Sequence, residues 1–188
     1  MTGPTEDKGG THVADTTARE NAIKAIDEAT TEAGLEVERP REGSFLVTIP
    51  GKAKLRTLVW LEAGSHSLTL TSFFCRQPDE NHAAFYQWLT RRSADMYGMA
   101  FTSDESGDVY IRGRLPLPGV TVEEVDRLLG CVLTYSDENF NTALELGFAS
   151  AIRKEWRWRT ERGHDTRNLR AFTHLLEPTD AERTTNGR

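Results

Sequence analysis

Cysteine is scarce in this sequence, in which Cys75 and Cys131 are the two thiols among 188 residues. Small secreted domains that are held together by disulfides carry more cysteine for their size. Cysteine-based metal sites place two ligands at a short spacing, and neither thiol has such a neighbour. The sequence therefore predicts two small buried thiols in a protein that resides in a reducing compartment.

Long apolar segments and an excess of positive charge are also missing. The apolar runs are short, as in Leu58-Val59-Trp60-Leu61, whereas a membrane-spanning helix needs roughly 20 such residues. Residues 1–20 contain no apolar segment of the length that an export signal requires. The formal net charge of −6 disfavours general binding to nucleic acid or to an anionic membrane. We therefore predict a soluble, cytoplasmic protein without a membrane partner.

The sequence motifs of common catalytic and cofactor sites are absent. There is no G-x-S-x-G elbow, no P-loop and no G-x-G-x-x-G. The five histidines form no H-x-x-x-H pair that would place two metal ligands on one helical face. Three acidic pairs, Asp79-Glu80, Glu123-Glu124 and Asp137-Glu138, lie at predicted helix starts, where they would stabilise the positive end of a helix dipole. The sequence thus predicts a protein that is not an enzyme and needs no cofactor or metal.

The composition is that of one globular domain with polar ends. Hydrophobic residues make up 37% and charged residues 28% of the chain, which suffices for one core. Residues 1–15 lack apolar periodicity and are predicted to be a disordered arm. Residues 16–162 form the predicted domain, and residues 163–188 a largely disordered extension. Within that extension, apolar residues spaced three or four apart from Leu169 to Leu176 would also fit a short docked helix.

Periodicity and turn residues predict an α+β fold. The patterns indicate a helix at 17–33, strands at 44–49, 54–62 and 66–76, a helix at 80–95, strands at 99–102 and 108–115, and a helix at 121–162. This α-β-β-β-α-β-β-α order predicts an antiparallel sheet that is packed by helices. The last helix would be about 60 Å long, so it should kink or split near 136–139 or project beyond the domain.

Two stretches near the C-terminus resemble a known family. Residues 140–149 (FNTALELGFA), followed by residues 155–159 (EWRWR), look like the C-terminal part of the YbjN family, and residues 126–130 (DRLLG) are similar to its actinobacterial members. The resemblance implies a fold like that of the class I type III secretion chaperones, which are small, usually homodimeric and non-enzymatic. It also implies a role in regulating sensory transduction, and it brings no catalytic residues. The polar N-terminal arm and the basic C-terminal extension depart from the basic family pattern.

The end of the last helix is the first candidate for a partner-binding surface. Residues 153–162 (RKEWRWRTER) hold five basic and two acidic residues. On a helix, Trp156 continues the core stripe, while Trp158 lies about 200° away. Arg157, Trp158 and Arg159 are therefore candidate contacts for a protein, or for an anion or nucleic acid. The alternative is a solvated helix end whose cations stabilise the negative dipole.

One face of the sheet is the second candidate. Val59, Phe73, Val109 and Ile111 are predicted to point into the core. The opposite face would then carry Trp60, Phe74, Tyr110, Arg112 and Arg114. Aromatic and arginine side chains are enriched in protein interfaces, although a helix of the same chain could equally cover this face.

These observations predict a non-enzymatic protein-binding module, chaperone-like or regulatory, that acts as a homodimer on a protein partner of unknown identity. The alternative is a regulator that binds an anion or nucleic acid through the basic Arg/Trp helix, and the acidic net charge makes nucleic acid the less favoured partner.

Overall fold

Six segments form the strands of a single sheet, and in five of them buried side chains alternate with more exposed ones. The computed structural model describes the backbone of residues 8–176 and the side chains of residues 16–176. The elements in chain order are α1 (Lys8–Glu32), β1 (Glu36–Arg41), β2 (Ser44–Pro50), β3 (Arg56–Ala63), β4 (Ser67–Cys75), α2 (His82–Ser93), β5 (Met99–Ser103), β6 (Val109–Pro116), a 3-10 turn (Leu117–Gly119), α3 (Val122–Arg162) and a 3-10 helix (Arg167–Leu176). The predicted α+β class and order of elements are confirmed, with one strand added.

The sheet is antiparallel throughout and has the order β1-β2-β3-β4-β6-β5. The added strand is β1, whose sequence EVERPR has one apolar residue, Val37. Val37 pairs with Val47 of β2 and is partly buried against the core. A short, charged strand that contains proline is typical of a sheet edge, because it discourages pairing with other chains. Such a strand carries little apolar alternation, and the sequence patterns missed it for this reason.

All three α-helices pack on one face of the sheet. The fully buried side chains there include Ile26 of α1, Val47, Val59, Leu61, Leu70 and Ile111 of the sheet, Phe85 of α2, and Val125 and Val132 of α3. Burial of each large apolar side chain contributes about 1.5–3 kcal/mol. This core fixes which face of the sheet remains available for other contacts.

The first helix begins earlier than the sequence predicted. It starts at Lys8, so residues 8–15 are helical rather than part of a disordered arm; residues 1–7 lie outside the described residues. Residues from Ala22 to Ala29 anchor the helix in the core. Once that part has formed, each further residue adds a hydrogen bond without a new nucleation cost. The helix ends as predicted before Gly34, which has a φ of 63°.

The long helix α3 is kinked at Phe148, whose φ of −143° and ψ of 16° are not helical. The predicted break at 136–139 is wrong. Gly147 lies directly before the kink, and its carbonyl oxygen accepts hydrogen bonds from the backbone N–H groups of Asp79 (2.9 Å) and Glu80 (3.1 Å). The loop before α2 therefore supplies donors to a carbonyl of α3 at the kink.

The predicted break site is instead a tether between α3 and the β2–β3 turn. The Oδ1 atom of Asp137 accepts hydrogen bonds from the backbone N–H groups of Lys52 (2.8 Å), Ala53 (2.8 Å) and Lys54 (3.0 Å). Asp137 thus lies inside a helix and does not begin one, contrary to the sequence prediction. The acidic pair Glu123-Glu124, by contrast, does occupy the first turn of α3.

The chain after α3 folds back on it. In the 3-10 helix Arg167–Leu176, Leu169 and Phe172 are buried. Phe172 joins Phe148 and Ile152 of α3 in a second apolar cluster. The docked segment that the sequence left open is therefore present, and the prediction of disorder is wrong for residues 167–176. Residues 177–188 lie outside the described residues. Among the helices described, none is both long and apolar enough to span a bilayer.

Candidate protein interface on the open face of the sheet

The face of the sheet opposite the helices is not covered by any element within residues 8–176. We call it the open face. The following residues share this face by strand alternation and cross-strand pairing: Glu36, Glu38, Leu46, Thr48, Arg56, Leu58, Trp60, Glu62, Thr69, Thr71, Phe73, Ala100, Tyr110, Arg112 and Arg114. Leu58 is 46% exposed and Phe73 41%. Large apolar groups left in water on one sheet face are typical of a contact surface.

The strand register arranges these side chains in rows across the sheet. Directly paired residues of neighbouring antiparallel strands point to the same face. One row runs Glu38, Leu46, Trp60, Thr71, Arg112, Ala100 from β1 to β5. This row has an acidic residue at one end, Leu46 and Trp60 in the middle and an arginine near the other end.

Four of the five predicted sheet-face residues lie on the open face: Trp60, Tyr110, Arg112 and Arg114. The prediction is wrong for Phe74, which is 1% exposed and packs in the core against Phe101 and Phe140, with ring centroids 4.9 Å and 6.2 Å away. Phe73, predicted to point inward, takes the open position. Leu68, Leu70 and Ser72 point inward along β4, and strict alternation then assigns Phe74 to the core as well.

The aromatic side chains of the open face contact one another. The rings of Phe73 and Tyr110 meet edge to face with centroids 5.5 Å apart. The guanidinium of Arg112 lies 4.9 Å from the centroid of the Tyr110 ring. Such contacts hold large side chains in place, which lowers the entropy that they lose on binding.

Lys54 lies at one end of the open face, in a position that the sequence did not indicate. Its Nζ atom donates to the backbone oxygen of Phe73 and lies 5.7 Å from the centroids of the Phe73 and Phe74 rings and 6.0 Å from that of Phe140. Burial lowers the pKa of Lys54 to about 8. Burial also raises the pKa of the neighbouring Cys75 thiol to about 12, so this cysteine remains a protonated thiol at neutral pH.

The C-terminal candidates have contacts within the chain. Trp158 is 44% exposed, stacks on His164 with centroids 5.1 Å apart and has the guanidinium of Arg162 4.9 Å from its ring centroid. Arg159 donates to Glu155 (2.6 Å) and to Asn168 (2.9 Å). The ring of Trp158 and the guanidinium of Arg159 therefore help to fold the end of α3 against the segment that follows.

The other residues of this helix end line a shallow pocket. Trp156 was predicted to belong to the core, but it is only half-buried and lines a pocket of about 300 Å³ with Arg153, Arg157 and Leu176. The kink at Phe148 changes the direction of the helix before Trp156, so the four-residue spacing no longer leads into the core. Arg157 is exposed and forms no ion pair with any side chain that the structure describes.

A separate pocket of about 200 Å³ lies where the sheet meets the start of α3. Its lining is mostly apolar and includes Leu68, Leu70, Leu115 and Leu128. Tyr97 closes one side and donates to Glu124 through its hydroxyl (3.0 Å). The sequence analysis did not predict this pocket, because Tyr97 lies in the turn between α2 and β5, where side chains follow no periodic pattern. In residues 16–176 no three His, Cys, Asp or Glu side chains come together in a way that could hold a metal ion.

Comparison with known proteins agrees with the resemblance noted in the sequence. Residues 22–145 match the model of the YbjN family, described as "Putative bacterial sensory transduction regulator". The chain is 44% identical over 146 residues to the uncharacterized protein Rv0487 of Mycobacterium tuberculosis, covering 76% of this chain and 80% of that protein. It is 45% identical over 133 residues to the uncharacterized protein ML2442 of Mycobacterium leprae, covering 71% of this chain and 72% of that protein.

Two solved structures are also similar to the chain. One is titled "Structure of the HopA1-SchA Chaperone-Effector Complex", with a TM-score of 0.49 and 12% identity over 64% of this chain and 93% of that chain. The other is titled "Crystal Structure of the ExsC-ExsE Complex", with a TM-score of 0.49 and 14% identity over 65% of this chain and 93% of that chain.

Proposed function

The chain belongs to the YbjN family, and from this premise we propose that it is a non-enzymatic regulatory or chaperone-like module that binds protein through the open face of its sheet. The observation that carries the proposal is the exposure of Leu58 (46%) and Phe73 (41%) beside Trp60 and Tyr110 on that face. A protein partner that covered these groups would remove their apolar surface from water, at a gain of about 25 cal/mol per Å².

The composition of the open face supports a protein rather than a small ligand. Small-molecule sites are concave and bury most of the ligand, whereas this surface is one side of a six-stranded sheet. Its centre holds apolar and threonine side chains, and charged residues lie toward its edges. An apolar centre with a polar rim is the usual anatomy of a protein interface.

The proposal that the protein is not an enzyme is supported by the surroundings of its Cys75 thiol and its Lys54 amine. Cys75 is buried and its pKa is raised to about 12, so it is a poor nucleophile. Lys54 has a lowered pKa, but it lies against aromatic rings and the Phe73 carbonyl rather than beside a general base or acid.

Site-specific photocrosslinking in the native cell tests the proposed function. A photoreactive amino acid at Thr71, in the middle of the open face, should yield covalent protein adducts. The same amino acid at Arg92, exposed on α2 on the helical side, is the matched control and should yield few. Adducts that are equally abundant at both positions, or missing at Thr71, would contradict a binding role for this face.

Binding of an anion or nucleic acid by the end of α3 is the second candidate function, and the exposure of Arg157 and Trp158 favours it. The contacts of Trp158 with His164 and Arg162 count against it, because a ring that already contacts protein groups is a poorer platform for a base. Titration of the full chain with a single-stranded RNA at increasing salt separates the two functions. We expect no binding; binding that weakens with salt and that Arg157→Glu abolishes would support the second function instead.

A further inference from the structure

The apolar pocket between the sheet and the start of α3 lies on the helical side of the sheet, away from the open face. Leu68 and Leu70 of β4 and Leu128 of α3 line it and are buried. Gly113 and Leu115 also line it, and both occupy inward-facing positions of β6. These two residues are nevertheless partly exposed. Solvent therefore reaches the helical side of the sheet at this point, and the pocket opens to the surface.

Two glycines form one wall of this pocket. Strand β5 begins with Met99, which pairs with Gly113, and Gly98 directly precedes it with a φ of 64°. A Cβ atom at Gly113 would lie 2.7 Å from the carbonyl oxygen of Gly98. Glycine at position 113 thus allows the backbone of residue 98 to approach the strand closely, and it adds no side chain to the pocket. This wall therefore consists of backbone, which the rotation of side chains cannot move.

Tyr97 forms another wall, and several contacts hold it in place. Its hydroxyl donates to Oε1 of Glu124 (3.0 Å), and its backbone N–H donates to the hydroxyl of Tyr135 (2.9 Å). The guanidinium of Arg127 lies 5.8 Å from the centroid of the Tyr97 ring. The side chain is therefore fixed at both ends although it is 46% exposed. A wall that is already ordered loses little entropy when a ligand binds against it.

The volume of the pocket limits the size of a ligand. Sites for drug-sized molecules measure roughly 300–1,000 Å³, whereas this pocket measures about 200 Å³. An apolar cavity of about 150 Å³ stays dry and can bind benzene. In proportion, the pocket has room for about eight non-hydrogen atoms. This is the size of one substituted ring or of two small fused rings.

The charged groups at the pocket determine the polarity of a ligand. Arg114 and Glu124 are the charged residues that line it, and strand alternation directs the Arg114 side chain to the open face. The Glu124 carboxylate accepts from Tyr97 and pairs with Arg127 (2.9 Å), yet it has lone pairs for one more donor. An anionic ligand would be repelled by this carboxylate. A cationic ligand would be buried beside a charge that Arg127 already offsets. The pocket therefore suits a neutral ligand that carries a hydrogen-bond donor.

We propose that this pocket binds a small neutral aromatic molecule with one N–H or O–H group, which donates to the carboxylate of Glu124 while the ring lies between Tyr97 and the leucine side chains. The site is separate from the open face, so the inference goes beyond the proposed function. A rigid ring has no internal rotations to lose on binding, and the ring of Tyr97 offers it an aromatic contact. The leucine side chains gain dispersion contacts that an empty pocket does not provide.

Titration of the full chain with indole, a fused ring with one N–H, tests the site by nitrogen–proton correlation NMR. We expect a dissociation constant on the order of 0.1–1 mM and shifts of the amide signals of Gly98 and Gly113. Leu115→Phe fills the pocket and should raise the dissociation constant by about tenfold or more. Leu55→Phe is the matched control, because Leu55 is 76% exposed in the β2–β3 turn, and it should bind indole as the wild type does.

Benzofuran, which has the shape of indole with an oxygen in place of the N–H, tests the donor. It should bind about fivefold more weakly, because its oxygen would face the Glu124 carboxylate. Equal affinity for the two compounds would overturn the contact with Glu124. Indole that leaves Gly98 and Gly113 unshifted up to its solubility limit would overturn the site. So would binding that survives both Leu115→Phe and Tyr97→Ala, which removes a wall at the surface; circular dichroism verifies that each variant is folded.

Discussion

Glu80 and Ser150 are joined by two hydrogen bonds across 70 residues of sequence. The carboxylate of Glu80 accepts from the backbone N–H of Ser150 (2.6 Å) and from its hydroxyl (2.9 Å). Ser150 lies two residues beyond the kink at Phe148, in the first turn of the second half of α3, and the N–H groups of a first helical turn have no acceptor within their own helix. Glu80 therefore caps a helix start from another element, and its charge stabilises the positive end of that helix.

Replacement of Glu80 by glutamine should destabilise the protein by about 1 kcal/mol, since the amide is a weaker acceptor and carries no charge for the helix dipole. Asp79→Asn is the matched control, because Asp79 contributes its backbone N–H rather than its carboxylate. Urea unfolding monitored by circular dichroism gives the free energy of unfolding of both variants. Equal stability of the two would mean that Glu80 does not act as a cap.

Gly147 and Gly130 lie in the same helix, but alanine should affect them in opposite directions. A Cβ atom at Gly147 would lie 2.7 Å from the Cβ of Pro78 and 3.1 Å from the ring of Phe85, whereas a Cβ at Gly130 would meet nothing within 4 Å. Gly147→Ala should therefore cost about 1–3 kcal/mol from overpacking. Gly130→Ala should stabilise the chain by about 0.5–1 kcal/mol through helix propensity. Thermal unfolding of the two variants tests whether Gly147 lies as close to Pro78 and Phe85 as the structure shows. A Gly147→Ala protein as stable as the wild type would contradict this close contact.

Periodicity predicted those parts of the fold whose side chains alternate between core and solvent. The strands from Ser44 to Cys75 and the capping pattern at Thr121 were found in this way, and Thr121 does accept a hydrogen bond from the N–H of Glu124. The edge strand β1 was missed because its charged sequence is suited to an edge and not to a core. The helical start at Lys8 was missed because propagation from an anchored helix needs no apolar pattern.

The kink and the open face show why sequence reasoning gave only part of the candidate site. The kink depends on Pro78 and Glu80 from the loop before α2, and such distant contacts leave no local signal at Phe148. The prediction of the open face was correct where alternation was followed strictly, as for Trp60 and Arg112. It was wrong at Phe74, where alternation counted from Leu68 and Leu70 would have placed the side chain inward.

Asp137 should be the main tether of the β2–β3 turn. Asp137→Ala removes the acceptor of three backbone N–H groups in a partly exposed turn, and the loss of these hydrogen bonds should cost about 1 kcal/mol. Glu138→Ala, at the neighbouring exposed position, is the control and should be nearly neutral. Hydrogen exchange measured by NMR should show faster exchange of the amides of residues 52–54 in Asp137→Ala alone. Unchanged exchange at these amides would contradict the tether.

Lys54 should make stability depend on pH above neutrality. Burial lowers its pKa in the folded protein from 10.5 to about 8, so between about pH 8 and 10.5 the unfolded chain binds more protons than the folded chain. The contribution of Lys54 to the free energy of unfolding therefore rises with pH across that range. Below pH 8 the amine is charged in both states, so the folded protein bears the whole cost of burying that charge. Cys75 acts oppositely, because its pKa is raised from 9.0 to about 12 and unfolding releases its proton between those values.

The contribution of Lys54 can be isolated with Lys54→Met, which keeps the length of the side chain and removes the charge. The variant should be more stable than the wild type at pH 7, and its advantage should shrink as the pH rises from 8 to 10. Both chains contain Cys75, so the effect of the thiol largely cancels in the difference. Denaturant unfolding at a series of pH values measures that difference. A constant difference over the whole range would mean that the amine is solvated in the folded protein and that the aromatic rings around it do not restrict its hydration.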